Sequence, residues 1–158
     1  MMKFITDGML GKLARWLRLA GHDVVGAREL PDEDDRTLLE RARSDGRALL
    51  TSDVELDRRA KKFGVQSFLL KGNDVVAQLK ELSRLSGQRI DVDLEKSRCT
   101  MCNGTLREVG PSQVGGMVPE KVAKANSRFW VCSGCGKVFW RGGHWKNIFR
   151  TLSEYEQE

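Results

Sequence analysis

The sequence predicts an α/β fold: a mostly parallel sheet flanked by helices, followed by a small β-rich module. Two observations carry this. Over about 90 residues, short β-prone runs alternate with stretches whose apolar residues fall at helical spacing, the order expected of a parallel sheet covered on both faces. Beyond that stretch, all 4 cysteines and the whole excess of positive charge are concentrated in the last two fifths of the chain.

The elements follow in order. Lys3 to Thr6 is a short β-prone run ended by Asp7. From Asp7 to Ala20, the residues Met9, Leu10, Leu13, Trp16, Leu17 and Ala20 recur at helical spacing, with Lys12, Arg15 and Arg18 outside the stripe. Gly21 closes this helix, and His22-Asp23-Val24-Val25 returns to strand with His22 expected at the surface. The acidic run Asp32 to Asp35 opens a second helical pattern through Leu38, Leu39 and Ala42, where carboxylates complement the helix dipole. Gly46 ends it. Arg47 to Ser52 reads as a buried strand stopping at Asp53, and a helix over 54–63, a strand over 65–70 and a helix over 74–85 follow. Residues 87–97 form a connector. Strands at 129–131 and 138–140 and a terminal helix from near His144 complete the chain, which divides at 95/96 into two domains, 1–95 and 96–158.

The chain has 158 residues, 31% charged and 40% hydrophobic, with a formal net charge of +5. That length suffices for one real core and a small appendage. No apolar run approaches the ~20 residues of a membrane span, and the start of the chain breaks into charge too early for a signal sequence. A cytoplasmic protein without membrane attachment is expected. Residues 1–95 carry 17 basic and 17 acidic side chains, whereas 96–158 carry 10 and 5. A neutral body joined to a basic module suits a nucleic-acid partner, although +5 also serves solubility alone.

The cysteines form two C-x2-C pairs, Cys99/Cys102 and Cys132/Cys135, with 29 residues between them. Four thiolates make a closed tetrahedral zinc site with no position open to water, so the zinc would be structural. A disulfide or a redox dithiol fits less well in a reducing compartment with duplicated pairs. The long interval calls for an extra loop near 110–119. Because metal binding supplies folding free energy to so small a module, Cys99→Ser is expected to unfold it while leaving the α/β layer intact.

Function in parallel sheets gathers at the carboxyl ends of strands. Asp7 and Asp53 stand at such ends, Asp35 at a helix start, and Asp57 one helical turn after Asp53. Converging carboxylates would hold Mg²⁺ or Mn²⁺, the hard ions that assist phosphodiester hydrolysis. Asp7 and Asp35 read equally as helix caps, and Asp57 as a solvated charge.

Three segments together carry a resemblance: the run from Phe4 through Asp7-Gly8-Met9-Leu10-Gly11 to Arg18 with Gly21-His22-Asp23; Arg47 to Asp53; and the cysteine pairs ending in Cys135-Gly136-Lys137-Val138-Phe139-Trp140-Arg141-Gly142-Gly143-His144-Trp145. The chain resembles the Mut-seven C-terminal RNase family, PIN-like domains that carry a C-terminal zinc ribbon. The resemblance covers essentially the whole chain. It implies a metal-dependent ribonuclease with acids at Asp7, Asp35 and Asp53, Asp57 being a possible fourth; PIN nucleases often have Glu where Asp35 stands.

Bases and aromatics interleave after the last cysteine: Lys137, Phe139, Trp140, Arg141, His144, Trp145, Lys146, Phe149 and Arg150. Aromatic faces stack on unpaired bases while Lys and Arg follow the backbone, which favours single-stranded RNA. Lys137, Arg141, His144, Trp145 and Lys146 are the candidate contacts, with Lys12 and Arg15 beside Asp7 as candidate phosphate contacts. The bland counterpart is that Trp140 and Phe149 form the small core of the ribbon and that Lys12, Arg15 and Arg18 are a solvated face. A non-catalytic RNA-binding adaptor is the competing function. A phospho-receiver domain would need two adjacent acids after the first strand, and Thr6-Asp7-Gly8 supplies one.

Overall fold

The computed structural model describes residues 2–157. Four strands, β1 (Phe4–Thr6), β2 (Val24–Gly26), β3 (Ala48–Thr51) and β4 (Ser67–Leu69), pair in parallel in the order β2-β1-β3-β4. Phe4 lies opposite Val24 on one side and Ala48 on the other. Neighbouring side chains along a strand point to opposite faces, so β1 and β3 build two cores. Phe4 and Leu50 pack with Leu13 and Leu17 of α1 (Gly11–Leu19) and with Leu79 and Leu82 of α4 (Val75–Ser86). Ile5 and Leu49 pack with Leu38 and Leu39 of α2 (Asp35–Asp45) and with Leu56 and Ala60 of α3 (Val54–Lys62). The expected alternation and its two covered faces are thus present; the main difference is that the helical pattern read from Asp7 opens with a 3-10 turn over Gly8–Leu10, so that α1 begins only at Gly11.

The ribbon is a three-stranded antiparallel sheet, β5 (Leu106–Val109), β6 (Phe129–Cys132) and β7 (Val138–Phe139), in that order. Its core is Val109, Val114 and Phe129, with Trp140 packed against them. Between β5 and β6 the extra loop contains the short helix α5 (Glu120–Ala125). β5 escapes sequence reasoning because its middle residues, Arg107 and Glu108, are exposed and charged.

The terminal helix α6 (Trp145–Glu156) returns to the parallel-sheet layer. Tyr155 is buried in the first core; its hydroxyl donates to the Ile90 carbonyl at 2.7 Å and lies 2.8 Å from Ser83 Oγ. The tail of the 96–158 segment therefore completes a core built by 1–95. Gly21, at φ +105°, makes the turn between α1 and β2, a conformation glycine enters without strain. A Cβ there would also meet Lys96 Cβ at 3.2 Å and the Asp93 carbonyl at 3.3 Å, because the connector crosses directly over the turn.

Two expected surface groups lie inside. His22 is buried, with Nε2 2.7 Å from the Asp91 carbonyl and its ring edge-on to Phe4. Arg18 is 3% exposed; it donates to the Val24 carbonyl at 2.8 and 3.0 Å, to the Thr100 carbonyl at 3.1 Å, and pairs with Glu29. A buried guanidinium is tolerated only when its donors are matched in this way. Among the described residues, no helix is long and apolar enough to cross a membrane.

Candidate active site and thiolate centre

Asp7 leaves β1 in extended conformation and caps a short 3-10 turn, its Oδ1 accepting from the Met9 N–H at 2.9 Å. Its Oδ2 accepts from the buried Thr51 hydroxyl at the end of the adjacent strand β3. The same Thr51 oxygen accepts from the Asp53 N–H at 3.0 Å. Asp53 in turn caps α3, with Oδ1 accepting from Glu55 N–H at 2.9 Å and Leu56 N–H at 3.1 Å. Its Oδ2 has no hydrogen-bond partner among the described residues, and the residue is exposed. Neighbouring strand ends therefore bring Asp7 and Asp53 together through one threonine.

Asp35 is the first residue of α2 and pairs with Arg59 of α3 at 3.2 Å. Asp34, not Asp35, caps that helix, accepting from the Arg36 N–H at 3.0 Å. Asp35 makes no hydrogen bond to Asp7 or Asp53, and among the described residues the group placed to hold a metal is the four cysteines, not these carboxylates. Asp57 is buried rather than solvated: it accepts from Ser67 Oγ at 2.6 Å and from Lys61 Nζ at 2.9 Å, which fastens α3 to β4. Both of its oxygens are thereby engaged.

Lys12 and Arg15 are exposed on α1, near the turn that bears Asp7. Arg28, which the sequence did not single out, leans over the same turn; a Cβ on Gly8 would lie 4.0 Å from Arg28 Nε. No sequence signal points to Arg28, because it comes from the segment after β2 and only sheet order places it next to β1. Thr51 had a weak local signal, a hydroxyl two residues before a helix-capping Asp.

The four cysteine sulfurs lie within 4.8 Å of one another, with Cys99 and Cys135 3.7 Å apart and Cys102 and Cys132 3.4 Å apart. Four sulfurs about 2.3 Å from a central ion would be about 3.8 Å apart, so the donor set fits a tetrahedral metal. Each turn supports it. Asn103 (φ 70°) and Gly136 (φ 76°) reverse the chain after each pair, and the Gly134 and Cys135 N–H groups point at Cys132 Sγ from 3.3 and 3.4 Å. Gly104 leaves the space for the cluster, since a Cβ would lie 2.8 Å from Cys132 Sγ. Burial pushes the Cys99 thiol up to about 12. At Cys132 burial acts the same way, but the N–H groups of Cys135 and Gly134 outweigh it and draw the thiol down to about 6. The cluster can hold a metal such as zinc.

The aromatic and basic residues converge on a cleft of about 370 Å³ between the ribbon sheet, the connector and the start of α6. Lys137, Arg141, His144 and Trp145 line it, together with Trp130 and Phe139; Lys146 is exposed outside its lining. The Arg141 guanidinium is 5.2 Å from the Trp130 ring centre and 5.0 Å from that of Trp145. Of the two aromatics assigned to the ribbon core, Trp140 packs there and Phe149 is 48% exposed on α6. Glu95, at the rim, is bound by Arg128, whose hydrogen bonds hold its carboxyl below the usual range.

The family model described as the Mut7-C RNAse domain matches residues 2–152. No curated protein and no solved structure gives a significant match.

Proposed function

The chain belongs to the Mut7-C RNAse domain family, and from that premise we propose that it is a Mg²⁺- or Mn²⁺-dependent ribonuclease that hydrolyses single-stranded RNA. An RNase domain points to a nuclease with RNA as substrate. The observation that carries the finer reading is the pairing of Asp7 and Asp53 at the adjacent ends of β1 and β3, joined through Thr51. Asp7, Asp53 and Asp35 are hard oxygen donors of the kind these ions prefer. A divalent ion bound there would neutralise phosphate charge and lower the pKa of an attacking water.

The residues of the chain divide the remaining work. Thr51 and the Met9 N–H hold the Asp7 carboxylate in one orientation, and the α3 N–H groups hold one oxygen of Asp53 while leaving the other free. Lys12, Arg15 and Arg28 would draw the RNA backbone toward this edge by charge. The ribbon part, 96–158, would bind RNA through the cleft, with Cys99, Cys102, Cys132 and Cys135 holding structural zinc, while the 1–95 part would cut. The cluster of free thiols suits the reducing cytoplasm.

One observation favours the non-catalytic adaptor: Asp35 is paired with Arg59 at 3.2 Å and makes no hydrogen bond to Asp7 or Asp53. Cleavage of unstructured RNA with Mn²⁺ separates the two readings. The wild type should cut, and the double variant Asp7→Asn, Asp53→Asn should lose at least a hundredfold in rate while retaining zinc and its fold. Equal cleavage by both proteins would leave the adaptor as the better reading.

A further inference from the structure

The aromatic and basic cleft also contains an acid, and the acid gives it a chemical preference. Glu95 lines the cleft beside Arg141, whose Nη2 is 3.7 Å from Glu95 Oε1. Arg128 grips the same carboxylate side-on, at 2.7 Å to Oε2 and 3.2 Å to Oε1. That fixes its position without exhausting it, since an ionised carboxylate offers about four acceptor sites. The Arg141 guanidinium is also held at 5.2 Å from the Trp130 ring centre and 5.0 Å from that of Trp145, and Arg128 shares the Trp130 ring at 4.9 Å. With the Glu95 and Arg141 side chains 59% and 29% exposed, a held acceptor and a held donor fork stand together at an open aromatic wall.

We propose that this cleft takes one unstacked guanine base, with Glu95 accepting from its N1–H and N2 amino group and Arg141 donating to O6 and N7. Guanine presents two adjacent donors beside two adjacent acceptors, which matches a carboxylate next to a guanidinium. Adenine offers the carboxylate one amino group beside the N1 acceptor, cytosine offers one amino group, and uracil offers a single N3–H between two carbonyls that repel it. Trp130, Phe139 and Trp145 line the cleft and bound the base, and Lys137 at the rim neutralises its phosphate. Leu19, at the C-terminal end of α1, lines the cleft, whereas Asp7 precedes the opposite end of that helix. The base selected and the bond cut therefore belong to different nucleotides of one strand. This inference rests on the ribonuclease reading and names the base that such an enzyme selects.

The test is a titration of the full zinc-loaded chain with GMP, AMP, CMP, UMP and IMP, followed by tryptophan fluorescence. GMP should bind at least tenfold tighter than AMP, CMP or UMP. IMP, which lacks only the N2 amino group, should bind at least threefold more weakly than GMP. Glu95→Gln, an exposed position whose fold is checked by zinc content and melting, should bring GMP to within twofold of AMP. Equal binding of all five nucleotides, no binding of any, or selection for GMP that survives Glu95→Gln overturns the assignment. Mn²⁺-dependent cleavage without guanine selectivity would refute the pocket and leave the nuclease, whereas guanine selectivity without cleavage would keep the pocket and remove the nuclease.

Discussion

The Thr51 hydroxyl donates to Asp7 Oδ2, and the same oxygen accepts from the Asp53 N–H at 3.0 Å. A wholly buried threonine thus sets the direction of one candidate ligand and ties it to the helix cap that carries the other. Each of its hydrogen-bonding roles has a partner, which is the condition for burying a hydroxyl without cost.

Thr51→Val keeps the shape and deletes the hydroxyl, leaving an Asp7 oxygen and the Asp53 N–H without this partner. The expected loss of stability is about 1 to 3 kcal/mol by urea unfolding. The concentration of Mn²⁺ needed for half-maximal RNA cleavage should rise, and Thr51→Ser should restore both quantities. A Thr51→Val protein with unchanged metal dependence would show that the bridge does not orient Asp7.

Divalent cations should stabilise the whole chain. Mn²⁺ at about 100 times its dissociation constant adds about 2.7 kcal/mol by mass action, which at this chain length corresponds to a rise in melting temperature of roughly 5 to 10 °C. Asp53→Asn should remove most of that rise. The full chain is the right object, because Tyr155 of α6 lies in the core that a 1–95 fragment would leave incomplete. A melting temperature indifferent to millimolar Mn²⁺ would count against a carboxylate metal site.

Loss of the thiolate metal should be felt in the parallel sheet. Asn103, held at φ 70° after the first cysteine pair, accepts from the Val24 N–H at 3.0 Å and donates to Asp23 at 2.7 Å. The Thr100 carbonyl accepts from Arg18 at 3.1 Å. These contacts argue against the separate melting expected from the sequence: chelation, or Cys99→Ser, should lower one common transition and expose the Val24 amide to hydrogen exchange. Asn103→Ala should keep one zinc per chain while costing about 1 to 3 kcal/mol. A Val24 amide that stays protected after chelation would place the ribbon outside the folding unit.

The junction also sets an acid limit. Burial pushes the Asp23 carboxyl up, but hydrogen bonds from Arg47 at 2.8 Å and from Asn103 outweigh this and hold it below its ordinary value. A carboxyl that binds its proton less tightly when folded contributes fully above its unfolded pKa of about 3.9, and that contribution is lost as pH falls through the lower folded value. Melting temperature measured from pH 7 to pH 2 should therefore fall more steeply below pH ~4 in the wild type than in Asp23→Asn. Parallel curves would mean that Asp23 is not a source of the acid sensitivity.

Much of this protein is legible one residue at a time. The apolar periodicities of Leu13/Leu17 and Leu38/Leu39/Ala42, and the β-prone runs at Ile5 and Leu49, report local burial on helix and strand faces, so the α/β alternation follows from them. The two cysteine turns are local as well, because the spacing in each pair already aims two sulfurs the same way; the tertiary structure adds that both pairs meet. Asp7 and Asp53 are readable as strand ends for the same reason.

What the sequence leaves open is set by contacts between distant segments. Strand order puts β3 beside β1 and so makes Thr51 a partner of Asp7, 44 positions away. Asp57 looks like a surface charge until Ser67 on β4 closes over it, and Arg18 looks solvated until the Val24 and Thr100 carbonyls surround it. Glu95 reads as part of a connector, and only the folding of the ribbon against it brings Arg128 and Arg141 to its side. Sequence periodicity determines which face of each element is apolar, whereas the partner of a polar or charged group depends on chain packing across tens of residues, and only the tertiary structure decides it.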